Sequence, residues 1–156
     1  MLPMVSRFWA RAFRGLYRLL GFADPLIRAV WRRRGIGNVV ELRVASRRSG
    51  RPRSLMLGLL HVGDELYLGH PNGESSWTRD LDVAPVAQLV LHGLPPLDFR
   101  PHLLPAGPER SAVIGQTGQH PFPGNLVYRL ARRHVLAIGR YYRLEPLTGT
   151  GREPGS

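Results

Sequence analysis

The chain has 156 residues, 43% of them hydrophobic, no cysteine, and a formal net charge of +11. That is one domain's length with enough apolar content for a core, which excludes a disordered chain. The lack of cysteine excludes a disulfide framework and thiolate metal sites and leaves the redox compartment undetermined.

All 22 basic residues are arginine, and with 18 Gly and 14 Pro this is the composition expected of GC-rich coding. The placement of the charge is more informative. Residues 1–34 carry eight arginines against one acid, Asp24. Residues 47–53 carry four arginines and no acid, and the rest of the chain balances ten of each. A nucleic-acid-coating protein spreads basic residues over a broad face. Two foci predict two separate roles, with nucleic acid not expected as a partner.

The spacing predicts a helix over about residues 4–20. At ~100° per residue, Arg7, Arg11, Arg14 and Arg18 lie within about 60° of one another. Val5, Phe8, Trp9, Ala12, Phe13, Leu16, Leu19 and Leu20 fill the opposite side. Such a helix suits an anionic membrane interface, and it equally suits a cap on the domain core with a solvated arginine face. The arginines interrupt the apolar segment and no small-residue cleavage site follows, so it does not read as a signal peptide. The expected location is the cytoplasm, with residues 1–20 offering a peripheral contact to the inner membrane face.

GFADP is expected to end that helix, with Asp24 capping a second one that starts at Pro25 and runs to Gly35. Residues 1–37 thus read as N-terminal amphipathic helices, residues 38–147 as a β-barrel domain, and residues 148–156 as a disordered tail. VVELRVAS, SLMLGLLHV and ELYLGH read as three strands joined by an arginine-rich turn and the Gly63–Asp64 turn. SLMLGLLHV is the longest apolar run and is too short to span a bilayer. SSWTRDLDVA reads as a short helix capped by Ser75 or Ser76. VAQLVLHG and LDFRPHLL read as strands, residues 107–134 as helical or irregular, and VLAIGRYYRLEPL as a final strand. This order predicts a mainly β, α+β fold: a small closed or half-closed barrel with helical covers.

Several chemistries are missing. There is no G-x-S-x-G elbow and no phosphate-binding G-x-x-x-x-G-K. The six histidines include no i, i+4 pair, and no metal site is expected. No carboxylate spacing singles out an acid/base pair, and no catalytic side chain is assigned. An organic cofactor is therefore the expected carrier of any reaction.

The turn at residues 46–53, SRRSGRPR, offers Arg47, Arg48, Arg51 and Arg53 around Ser49 and Gly50. Guanidiniums bind phosphate in a bidentate fork, and glycine admits close backbone approach. Pro52 fixes the chain entering the next strand. A merely solvated basic turn, or a localisation-type basic cluster, would show the same composition.

Chain order adds to this. The turn is followed by the Gly63–Asp64 hairpin, by G-H-P-N-G at 69–73, and by W-T-R-D-L-D-V-A-P at 77–85. In this order the chain resembles the deazaflavin-dependent nitroreductase family of the flavin/deazaflavin oxidoreductases. Members of that family carry G-R-x-S-G-x-P-R, a Gly-Asp hairpin, a strand ending near Gly-Gly, and W-x-x-N-L-x-A-x-P. The resemblance covers residues 38–93 closely and the final strand loosely. It implies a split β-barrel of the FMN-binding-like type that binds coenzyme F420. The reduced deazaflavin would pass hydride to a quinone, nitro or activated-alkene acceptor, a small lipophilic substrate. By position, Arg47, Arg48, Ser49, Gly50, Arg51, Pro52 and Arg53 would meet the phosphate and acidic tail. His70, Asn72, Gly73, Ser75, Ser76 and Trp77 would line the ring, although Trp77 reads first as a core anchor. FMN is the alternative cofactor, and a non-catalytic lipid or cofactor binder is the alternative function.

The chain departs from the family at Ser46, where glycine is usual, and at Asp80, where asparagine is usual. Asp80 either repels an anionic cofactor or pairs with Arg79. The Asn72–Trp77 loop is short, and the family's tyrosine-rich late helix has no counterpart to which Tyr128, Tyr141 or Tyr142 can be assigned. On a strand, Tyr141 and Tyr142 face opposite ways.

Overall fold

The computed structural model describes residues 4–73, 75–121 and 124–147; the predicted tail at 148–156 lies outside them. Seven strands form one antiparallel sheet in the order β2-β1-β5-β6-β7-β4-β3. They are β1 (Val39–Ala45), β2 (Pro52–Gly58), β3 (Leu60–Val62), β4 (Glu65–His70), β5 (Ala87–Val90), β6 (Leu97–Leu103) and β7 (Arg140–Pro146). The helices are α1 (Met4–Arg34), α2 (Ser76–Val83), α3 (Pro108–Ile114), α4 (Gly124–Leu130) and α5 (Arg132–Ile138), with a 3-10 turn at Thr117–Gln119.

The apolar run expected as one strand is two. β2 ends at Gly58 and β3 begins at Leu60, yet β2 and β3 are opposite edges of the sheet. Strands separated by one residue reach opposite edges only when the sheet curls back on itself, so Leu59 is where the half-barrel closes. Its amide donates to the Asn38 carbonyl at 2.8 Å, carrying the β1–β2 register one residue past Gly58 before the chain crosses to β3. The lack of a side chain at Gly58 leaves room for the His120 ring, which a Cβ there would strike.

The expected break at GFADP does not occur. α1 runs through Pro25 as one helix, and Asp24 pairs with Arg28 at 2.6 Å instead of capping. An interior proline costs about 3 kcal/mol. Contacts on both sides of it hold the helix together. Ahead of Pro25, Phe13 is buried in the core. Beyond it, the Trp31 indole donates to the Val39 carbonyl at 2.8 Å, and Arg28 donates to the Ser54 hydroxyl and carbonyl.

The predicted final strand is also shorter. Val135–Ile138 belong to α5, and β7 starts at Arg140. A short apolar run does not distinguish strand from buried helix.

Two buried clusters flank the sheet. Leu42, Leu68, Leu89, Phe99 and Tyr142 fill the barrel side with α2. Phe13, Leu60, Tyr67, Ile114 and Tyr141 join the opposite face to α1, α3 and α5. The neighbours Tyr141 and Tyr142 therefore serve different cores, as strand alternation requires. Gly69 pairs across the ladder with Tyr141, whose ring occupies the space a Cβ would need. Gly69→Ala is expected to lower unfolding stability by about 3 kcal/mol. Urea titration checks this, and an unchanged midpoint would show that the ring can move aside.

Candidate functional site

The β1–β2 hairpin closes with Ala45 opposite Pro52. β2 is an edge strand, so the missing N–H of Pro52 weakens no second ladder. Between them, the Ser46 amide donates to the Arg51 carbonyl at 2.9 Å, and the Gly50 amide donates to the Ser46 carbonyl at 2.8 Å. Gly50 has φ +69°, the left-handed conformation this turn needs. Ser46 has a role that glycine could not fill: its hydroxyl accepts the amides of Arg48 and Ser49 at 3.3 and 3.4 Å.

Facing the hairpin is the start of α2. Ser75 caps it, accepting the Thr78 amide while the Thr78 hydroxyl accepts the Ser75 amide, a reciprocal capping box. From the far side, the Tyr142 hydroxyl donates to the Thr78 carbonyl at 3.2 Å, and Arg140 pairs with Asp82 at 2.8 Å. The helix is thus fixed at both ends by contacts within the fold.

Asp80 locks hairpin to helix. It is 1% exposed. Its Oδ1 accepts from the Arg47 backbone amide at 3.1 Å and the Arg47 guanidinium at 3.0 Å, and its Oδ2 accepts from Arg53 at 2.8 Å. Burial pushes the carboxyl pKa up. The amide and guanidinium of Arg47 and the charge of Arg53 outweigh this and hold it below its ordinary value. The carboxylate's partners are Arg47 and Arg53, whereas the sequence suggested the adjacent Arg79. Arg53 also donates to the Ser76 hydroxyl at 2.7 Å.

What remains is a cleft of about 580 Å³ lined by Ser46, Arg47, Arg48, Arg53, Ser75, Ser76 and Arg79. Among the described residues no carboxylate lines it. Two guanidiniums share the single charge of Asp80, so the clamp keeps a net positive charge. The Arg48 side chain has no hydrogen bond or ion pair. Four arginines and three hydroxyls around one hollow are a donor set whose chemistry suits an anion with several oxygens.

The other predicted residues fall elsewhere. Ser49, Gly50, Arg51 and Pro52 are exposed at the hairpin tip and start of β2, beside the cleft but outside its lining. His70, Asn72, Gly73 and Trp77 are not in the cleft. Trp77 is 6% exposed and packs in the barrel core near Tyr142. His70 is 8% exposed and stacks on Tyr17 of α1, with ring centroids 4.9 Å apart. Burial lowers its pKa to about 4.

Asn72 donates to the Ala10 carbonyl at 3.0 Å, and its side-chain oxygen meets His134 Nε2 at 2.8 Å. His134 Nδ1 in turn meets the Ser6 hydroxyl at 2.7 Å. Gly73, at φ +82°, lies against the Ile138 carbonyl. The strand end at 70–73 is therefore latched under α1.

Sequence reasoning missed the lining roles of Ser46 and Arg79. Arg79 lies three residues after Ser76, on the same helix face, and that spacing was available to find it.

No family model matches the chain, and no curated protein matches it. Solved structures do. HutZ, a heme storage protein from Vibrio cholerae, aligns over 81% of this chain and 91% of its own, at 17% identity and a TM-score of 0.54. A conserved hypothetical protein, Rv2991, from Mycobacterium tuberculosis aligns over 70% and 72%, at 12% identity and a TM-score of 0.53. A Listeria innocua protein provisionally named a pyridoxamine 5′-phosphate oxidase aligns over 71% and 85%, at 12% identity and a TM-score of 0.50. At these identities the likeness is one of fold: an α+β split β-barrel of the flavin-binding-like type.

Proposed function

We propose that the arginine cleft binds the phosphate-bearing, acidic stem of an organic redox cofactor, coenzyme F420 first and FMN second. On this reading the protein is an oxidoreductase that passes hydride from reduced deazaflavin to a small lipophilic acceptor such as a quinone. The observation that carries the binding half is the convergence of Arg47, Arg48, Arg53 and Arg79 with three serines on one hollow, with Asp80 withdrawn beneath it. A stem with phosphate and carboxylate oxygens fits that donor set.

The ring fits less well. The residues that would line it, His70, Asn72, Gly73 and Trp77, are covered by α1 or packed in the core. A ring seated there requires the Tyr17–His70 stack and the Asn72 contacts to open. The hydride reaction accordingly rests on the sequence resemblance, and the anion site rests on geometry. When bound, the deazaflavin supplies the hydride chemistry. The chain's own contribution at the cleft is to hold and orient the stem.

The same lining argues against an acyl chain in this hollow, because burying hydrocarbon against four guanidiniums gains little. It also argues against haem, since among the described residues no histidine, methionine or tyrosine that could ligate its iron lines the hollow.

The test is a titration of the full chain with F420 and with FMN, followed by menadione-dependent reoxidation of reduced F420. Saturable micromolar binding of F420 with turnover supports the proposal. Binding of FMN alone, with flavin fluorescence in the purified protein, transfers the site to FMN. Binding of neither overturns it.

A further inference from the structure

The outer surface of α1 is not explained by the fold or by the cleft. The helix has three faces. Ser6, Phe13, Tyr17 and Trp31 lie within about 40° of one another around the axis at ~100° per residue, and they face the domain. A second face holds Arg7, Arg11, Arg14 and Arg18, all exposed and without an ion pair. The third face holds Met4, Phe8, Leu19, Phe22 and Leu26, again within about 60° of one another. These five are among the most exposed large apolar side chains described, from 62% at Phe8 to 89% at Phe22.

The centres of the arginine and apolar faces are about 80° apart, so the two run side by side along a helix about 46 Å long. The single acid of α1, Asp24, points elsewhere and is already paired with Arg28.

We infer that this face of α1 docks the protein on an anionic membrane surface. The apolar row enters the headgroup–acyl boundary, and the adjoining arginines meet lipid phosphates. Charge complementarity selects this occupant. An apolar row bordered by four unpaired cations and no free acid is suited to a surface that is both apolar and negative. A second copy of the helix would cover the apolar row but bring no counter-charge to the arginine row beside it. No helix among the described residues is long and apolar enough to cross a membrane, so the contact is one of lying on the surface.

The experiment is co-sedimentation of the full chain with phosphatidylcholine vesicles, with and without phosphatidylglycerol, beside size-exclusion chromatography. Binding is expected only with phosphatidylglycerol, to weaken with salt, and to drop roughly tenfold or more in Phe22→Asp and in the Arg11→Glu, Arg14→Glu double variant. These side chains are exposed, and circular dichroism and an unchanged urea midpoint confirm that each variant is folded. No sedimentation with anionic vesicles overturns the inference, as does binding undiminished in both variants. A dimer abolished by Phe22→Asp, without vesicle binding, assigns the face to a second copy and also overturns it. None of these outcomes depends on F420 binding, so this inference and the cofactor proposal fail separately.

Discussion

Replacing Asp80 with alanine is expected to lower unfolding stability by about 3 kcal/mol, the low end for breaking a buried ion pair, because Arg47 and Arg53 keep some access to water. Asp80→Asn should cost less, since its amide oxygen can still accept from the Arg47 backbone. Both variants leave two guanidiniums without a counter-charge at the wall of the cleft. If the variants fold, they should bind pyrophosphate more tightly than the parent chain. Urea titration and calorimetry measure the two effects. Lower stability with unchanged anion affinity would mean that the cleft's charge is not what the ligand senses.

Acid is expected to loosen the molecule well above the carboxylate range. Burial holds the pKa of His70 and of His120 down to about 4. His70 stacks on Tyr17, and its Nδ1 accepts the Asn72 amide at 3.1 Å. His120 stacks on Tyr128 and meets the Asn38 amide group at 3.2 Å. Unfolded histidine titrates near 6.5. Between those values the unfolded chain binds more protons than the folded one, so stability is full above about pH 6.5 and falls as pH drops toward about 4. At about pH 5 the loss should be on the order of 2 kcal/mol per histidine. Urea unfolding at about pH 7.5 and about pH 5 checks this. The His70→Gln, His120→Gln double variant should show a much flatter profile, and equal stability of the parent chain at both values would contradict the burial argument. Asp80 adds its own loss only lower, as pH falls from the ordinary carboxylate value through its depressed one.

How much of this was legible in the sequence depends on whether the cause was local. The turn at 46–53 and the cap of α2 are written in a few adjacent residues: the turn is legible in place, and the cap is narrowed to Ser75 or Ser76, of which the structure uses Ser75. Strand alternation was enough to separate Tyr141 from Tyr142. The continuation of α1 through Pro25 was not legible. It depends on Trp31 and Arg28 reaching β1 and β2, contacts that no helix rule contains.

Asp80 was noticed as a departure but was given the wrong neighbour. Adjacent residues on a helix point about 100° apart, so Arg79 was a poor partner. The real ones lie 33 and 27 residues upstream and are brought close by the hairpin. Likewise, the contacts of Asn72 with Ala10 and with His134 each join residues 62 apart in sequence, beyond the reach of any motif. The split of the 54–62 run into two sheet edges is a closure effect of the whole barrel.

The most direct test of the arginine cleft is a binding titration with F420 on the parent chain, on Arg48→Glu, and on Arg129→Glu at the unrelated cavity beside α4. Arg48 is chosen because it lines the cleft and its side chain holds nothing else in the fold. The account predicts micromolar binding that weakens with salt, is lost in Arg48→Glu, and is retained in Arg129→Glu. Affinity unchanged by Arg48→Glu, or lost equally in both variants, would contradict it.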